Sequence, residues 1–430
     1  MKKLVITMGL AMLVMAAGAQ DENKFTIDAQ LRTRGEYNNG AIYPRGEGQL
    51  PATFINERAR VSMGFERGQL EVKLSAQHTG YWGQDAMNTP NGRMTMNEAW
   101  AKLKFADGWF AQLGRQQLSY DNERILGAND WDVDGNWHDA LKVGYEKGAN
   151  KVHAFAAMNQ KTANRGNYYD GAMPYKSMQG VWFQHQWETL PLGVSLLGLN
   201  TGYEQGEPGH GKTKYMQTVG TNISYQPGNW DLHGEFYYQT GRSVDDLKVS
   251  TCMASVKAGY RIDDKWKVAL GMDYVEGEEY SVTSYSRDYM VLYKAHADRT
   301  RAFNPLYGSH HQFYGLMDYF YASSFAGGVE PGLGDLQVDV DYKASDKTSV
   351  MLNYHYFTTA SDCMQERGLG HEFDLHLTTK LMKDVTLQAG YSVMRGTDMM
   401  DYAKGGNRRS WQDWAWVSLN INPRIFSTKW

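Results

Sequence analysis

The sequence has 430 residues but only two cysteines, ten prolines and no marked excess of either charge. Two cysteines exclude a disulfide-built scaffold. Cys252 and Cys363 stand in no CxxC or metal-ligand spacing, so a disulfide and two unpaired side chains both remain open. The balance of 44 basic against 48 acidic residues excludes a broadly basic nucleic-acid binder. Mean hydropathy is −0.57, and no apolar run reaches the roughly 20 residues that a membrane-spanning helix needs. Enzyme signatures are missing too. There is no G-x-S-x-G elbow and no H-E-x-x-H helix, so the sequence assigns no catalytic residue, no metal and no cofactor. His310-His311 falls in a loop, and His371-Glu372 opens a strand pattern with no second histidine at i+4. What is abundant is glycine, with 45 residues, and aromatics, at 13%. That aromatic share argues against disorder.

The chain opens MKKLVITMGLAMLVMAAGAQ. Lys2 and Lys3 make a positive start, Leu4 to Ala17 an apolar stretch, and Ala17-Gly18-Ala19 the small-x-small pattern of a cleavage site. The expected organisation is a signal peptide over 1–19 and one domain over 20–430. Cleavage leaves 42 basic against 48 acidic residues, a net charge of −6.

Beyond Gln20 the dominant signal is period-two alternation in segments of 8 to 14 residues, separated by Gly, Asn, Asp and Pro clusters. In 385–394, Val385, Leu387, Ala389, Tyr391 and Val393 share one face. Thr386, Gln388, Gly390 and Ser392 share the other. In 336–342, Leu336, Val338, Val340 and Tyr342 alternate with Gln337, Asp339 and Asp341. Only strand period fits. Nineteen candidate strands are found, 284–293 being the weakest, with 311–321 a further weak one. Trp109, Trp182, Trp187, Trp230, Trp266, Trp411, Trp414 and Trp416 sit near strand ends, as the two membrane interfaces select. Short links such as Arg67-Gly68 alternate with long ones such as 120–138 and 294–333. Mean hydropathy therefore averages two opposed faces. The pattern predicts an all-β transmembrane antiparallel barrel of about 18 strands, with 16 open, in the outer membrane of a Gram-negative-type bacterium.

On the polar faces, Arg32, Arg34, Arg58 and Arg60 come together on the first two strands. They are expected to line the pore as a forked anion-binding surface. Late in the chain, Asp335, Asp339, Asp341, Glu372 and Asp374 form an acidic lumen stretch, with His355 and His376 as further pore lining. A passive channel for polar or anionic solutes is expected. Alternatives from other classes are a barrel enzyme acting on lipid or glycan, and a glycan-binding surface protein. The expected partners are outer-membrane lipid, a polar or anionic solute or oligosaccharide, and the barrel-assembly machinery, with no nucleic acid.

The stretch 113–145 carries Gly114-Arg115-Gln116, Arg124, a loop with Trp131 and Trp137, and Asp139-Ala140. It resembles the alginate-export family of outer-membrane barrels. The stretches 303–320, 332–342 and 369–377 look like further blocks of that family. The resemblance implies an 18-stranded barrel passing anionic polysaccharide, and so adds a dedicated acidic-polysaccharide exporter to the alternatives. On the GRQ match it implies that Arg115 is a pore arginine, with Arg124 following.

Overall fold

The computed structural model describes residues 22–84, 92–160, 162–164, 166–169, 173–285, 290–320, 330–361 and 366–430. The segment 1–19, expected as a signal peptide, and Cys363 lie outside them. Alternation becomes long strands in chain order. They are β1 (Asn23–Asn39), β2 (Ala52–Arg67), β3 (Leu70–Tyr81), β4 (Arg93–Ala106), β5 (Trp109–Gln116), β6 (His138–Lys147), β7 (Asn150–Met158), β8 (Ser177–Gln186), β9 (Leu192–Gln205), β10 (Lys212–Tyr225), β11 (Trp230–Arg242), β12 (Lys248–Arg261) and β13 (Trp266–Val275). Three short strands follow, β14 (Tyr280–Tyr285), β15 (Met290–Lys294) and β16 (Arg299–Thr300). The wall then resumes with β17 (Leu333–Lys343), β18 (Thr348–Thr358), β19 (Gly368–Met382), β20 (Val385–Gly396), β21 (Gln412–Ile421) and β22 (Arg424–Lys429). A helix, α1 (Asp398–Lys404), sits in the loop before β21.

The sheet closes because β1 pairs with β2 on one edge and with β21 and β22 on the other. Pro423 has no N–H to donate, yet its carbonyl accepts from Ala29 N at 3.0 Å. β21 and β22 are thus one staggered strand across β1. The sheet has 20 strands in all. Setting aside the two-residue β16 and joining β22 to β21 leaves an antiparallel barrel of 18. Closure leaves the barrel wall without a free edge. The described residues of candidate strand 284–293 are no part of the wall. They fall on a separate hairpin, β14–β15, inside a long loop, which accounts for their weak alternation. Segment 311–320 is not a strand either. Beginning in a 3-10 turn at His310–Gln312, it packs inside the barrel.

The burial is inside-out for a soluble sheet. On β17 the apolar Leu336 and Val338 are 42% and 39% exposed, while Asp335 and Asp339 are 1% and 7% exposed. A lipid-facing outer set and a polar lumen set produce this pattern. An arginine at Val338 is expected to destabilise the barrel by about 2–4 kcal/mol, the midplane value for a lipid-facing cation. Urea titration in lipid vesicles measures it, and an unchanged midpoint would argue that this face is not in the hydrocarbon.

Cross-strand ring pairs Trp109–Tyr145, Trp230–Tyr260 and Trp266–Tyr342 lie outside, near the short turns, with centroids 5.1, 4.9 and 4.3 Å apart. They form part of one interfacial girdle. Trp182, Trp414 and Trp416 belong elsewhere. Each is at most 5% exposed and faces inward, where loops cover it.

Candidate functional site

Two long loops fold into the lumen, L3 (117–137) and the later part of L7 (276–332). L3 leaves the top of β5, and its apolar Leu118, Tyr120, Ile125 and Leu126 are buried against inward side chains such as Phe155, Trp182 and Tyr237. The loops join along a short parallel seam. Tyr307 N donates to Ile125 O at 3.0 Å, Gly127 N to Tyr307 O at 3.0 Å, and Ser309 N to Glu123 O at 2.9 Å. Asn129 N donates to Ser309 Oγ at 2.7 Å. Burial pushes the His310 imidazole in L7 down to about 4, so it is neutral at physiological pH.

Arg32, Arg34, Arg58 and Arg60 do converge on the lumen, and they meet L3. Arg32 donates to the carbonyls of Asp130, Trp131 (3.2 Å) and Asp132 (2.8 Å). Arg58 Nη2 reaches the Asp130 carboxylate at 2.8 Å. Arg60 donates to Gln77 Oε1 at 2.7 Å, and Gln77 donates to Asp134 O at 2.8 Å. Arg34 pairs with Glu36 at 2.8 Å and lays its guanidinium 4.0 Å from the Trp131 ring centre. The side chains of these arginines are only 0–15% exposed, against 60% for Asp130. Guanidinium forks suit several carbonyls at once, so this cluster is the dock of L3.

Arg124 lies on L3 itself and does not border open lumen. Its side chain, 3% exposed, bridges Glu235 on β11 and Asp273 on β13, each at 2.9 Å. It also donates to Ser255 on β12 at 3.3 Å and sits 3.7 Å from the Phe313 ring centre of L7. Arg115 corrects the expectation of a pore arginine more sharply. It shares a face with the outward Trp109, Ala111 and Leu113, and makes a bidentate pair with Asp139 at 2.8 and 2.9 Å. Alternation on β5 turns it away from the lumen.

The acidic residues divide. Glu372 is fully buried under L7 and accepts from Met317 N at 2.8 Å. Asp374 is 2% exposed, 3.9 Å from His355, which bonds Asp335 at 3.0 Å. Asp339 faces the lower lumen in an ion pair with Lys257, and Asp341 is exposed there. Cations on β1–β2 thus hold carbonyls of L3, whereas an anion on β19 holds an amide of L7. Cys252 is half-buried and free.

Two of the cavities among the described residues border L3 and L7. The upper one, about 350 Å³, is bordered by Arg34, Glu36, Asn56, Asp132, Asp318 and Trp414. The lower one, about 410 Å³, is bordered by Lys257, Lys267, Asp339, Asp341 and His376. They share Trp131, His311 and Leu316. Trp131 and His311 stack with centroids 4.1 Å apart and planes 8° from parallel, and His311 Nδ1 bonds Asp318 at 2.9 Å. The neck between the cavities is therefore an Arg34–Trp131–His311 stack joining wall, L3 and L7.

A closed 18-stranded barrel with an apolar outside, a charged lumen and two loops narrowing it defines an outer-membrane channel of the porin type. The sequence profile described as alginate export matches residues 17–410, and the chain belongs to that family. No curated protein sequence matches it. Among solved structures it is similar to Pseudomonas aeruginosa OccK9 (OpdG), at 12% identity, over 93% of this chain and 98% of that one, with a TM-score of 0.60. A BenF-like porin from Pseudomonas fluorescens Pf-5 gives 10%, 93%, 99% and 0.61. The P. aeruginosa OccK2 (OpdF) complex with glucuronate gives 11%, 94%, 98% and 0.60. At such identities these likenesses establish the shared fold. With the family, they place the chain in the outer membrane of a Gram-negative bacterium.

Proposed function

We propose that the chain conducts polar solutes, anionic ones included, passively through the neck at Trp131, His311 and Leu316. The observation that carries this reading is that the upper and lower cavities share those three residues in their linings. The upper cavity lies toward the long loops and the lower toward the short turns, which face the periplasm in this class of barrel. A charged, hydrated wall lets a polar solute cross without losing its hydrogen-bond partners, and the neck limits its width. The OccK2 structure holds glucuronate, and a carboxylated sugar of that kind is a reasonable first solute to offer this chain.

Purified protein in planar bilayers should give discrete conductance steps, and a silent bilayer would overturn the reading. Trp131→Ala removes the ring that Arg34 and His311 both cover. Its unitary conductance should rise severalfold because the neck then widens. An unchanged conductance would place the route elsewhere in the lumen.

A further inference from the structure

The four arginines of β1–β2 are occupied by L3, and Arg124 by Glu235 and Asp273. A solute carboxylate needs cations that are still free. The lumen wall of β4–β6 supplies them. Lys102 on β4 pairs in register with Gln112 on β5, which pairs with Lys142 on β6. All three point inward, because the outward set here is Leu103, Leu113 and Leu141, each 46–63% exposed. Strands two apart are about 10 Å from each other, a gap that two lysine side chains close easily around one carboxylate.

Neither lysine has a carboxylate partner among the described residues. Lys102 instead lies 4.1 Å from the centre of the Phe110 ring. The neighbouring acids are taken. Glu98 pairs with Lys73 and accepts from Trp100 Nε1 at 3.0 Å. Glu71 pairs with Lys104, and Glu146 bonds His153 at 2.8 Å. Lys102 and Lys142 are near enough to repel each other, while Glu146 and Glu98 act on Lys142 with the opposite sign without pairing with it. The Gln112 side chain between them adds an amide that can donate or accept. The acidic Asp339 and Asp341 lie on β17, away from this wall.

We propose that Lys102, Gln112 and Lys142 form a carboxylate-reading site in the periplasmic half of the lumen, and that the solute is a carboxylate-bearing sugar. This rests on the channel reading above and assigns the residues that select within it. The lysines hold the carboxylate between them, and Gln112 takes a hydroxyl next to it. The arginines act on selectivity only through the position of L3.

The test uses the full chain and sodium glucuronate. Lys102→Gln with Lys142→Gln should raise the glucuronate concentration that half-blocks potassium chloride current by at least about ten-fold, the worth of one charge-assisted hydrogen bond. Lys102→Glu with Lys142→Glu should move the reversal potential in a salt gradient toward the potassium potential. Heat-modifiable gel mobility checks that each variant is a folded barrel, and the single Lys102→Gln serves if the pairs do not assemble. Conducting variants with unchanged block and unchanged reversal potential would overturn the site and leave the channel standing. A silent wild-type bilayer would overturn the channel. Glucuronate calorimetry on the detergent-solubilised protein then decides the site: binding lost in the double glutamine variant supports it, and binding retained overturns it.

Discussion

Arg124→Met is expected to weaken the docking of L3 by about 3–5 kcal/mol, the cost of removing one partner from a buried ion-paired group. The substitution leaves Glu235 and Asp273 facing each other behind the loop, side chains 4% and 2% exposed, with no cation between them. It also removes the bond to Ser255 and the contact over Phe313. The barrel itself need not unfold, because its 18 strands are paired independently of the loop. The loss should therefore appear in L3. Hydrogen exchange at Gly127 N, which bonds Tyr307 O across the seam, should speed up by about a hundred- to several-thousand-fold. Adding Glu235→Gln and Asp273→Asn should recover much of the protection, since no charge then stays buried. Exchange at the wild-type rate in Arg124→Met would show that the bridge does not hold the loop.

The wall was legible in the sequence because strand period leaves a mark at every second residue. Leu336, Val338 and Val340 against Gln337, Asp339 and Asp341 already fix which way β17 faces. The same rule places Arg32, Arg34, Arg58 and Arg60 in the lumen. It is silent about what fills the lumen, because those contacts join residues about 70 to 100 positions apart. That is why the arginine cluster reads as an open anion surface when L3 covers it. Aromatics are ambiguous for a related reason. A tryptophan near a strand end satisfies a girdle or an inward-folded loop equally well, and only parity separates Trp230 from Trp416. Parity also spoke against Arg115, two residues beyond Leu113, where the family motif favoured the pore. Lys102 and Lys142 carried the same signal, since each alternates with an outward leucine. Their shared row, however, exists only once β4, β5 and β6 are in register. The family blocks 113–145 and 303–320 gain a physical meaning. They are the two sides of the L3–L7 seam, the part of the molecule where backbone meets backbone inside the barrel.

That seam carries the second large effect, expected for Gly308→Ala. A methyl group there would stand 2.2 Å from Arg124 O, and 2.7 Å from both Arg124 C and Glu123 O. These are backbone atoms of L3 and cannot swing aside as a side-chain tip can. Gly127 shows the reciprocal approach, with a Cβ position 2.7 Å from Ser309 N. Two glycines thus let the loops come close enough for the Tyr307, Gly127 and Ser309 bonds to form. Overpacking a tight contact costs about 1–3 kcal/mol, and here relief requires the loops to part, so the upper end of that range is expected. Parting would also unstack Trp131 from His311, because one ring rides on each loop. Gly308→Ala should therefore expose L3 and L7 to protease while leaving heat-modifiable mobility of the barrel intact, and it should raise conductance in the same direction as Trp131→Ala. Ser309→Ala is the comparison. It removes the bonds to Asn129 N and Glu123 without adding bulk, costs about 2 kcal/mol, and should leave the neck at its wild-type width. A Gly308→Ala barrel with protected loops and wild-type conductance would mean that the two loops can shift together without opening the route, and that the wall contacts of Arg32, Arg58 and Arg124 alone hold the neck in place.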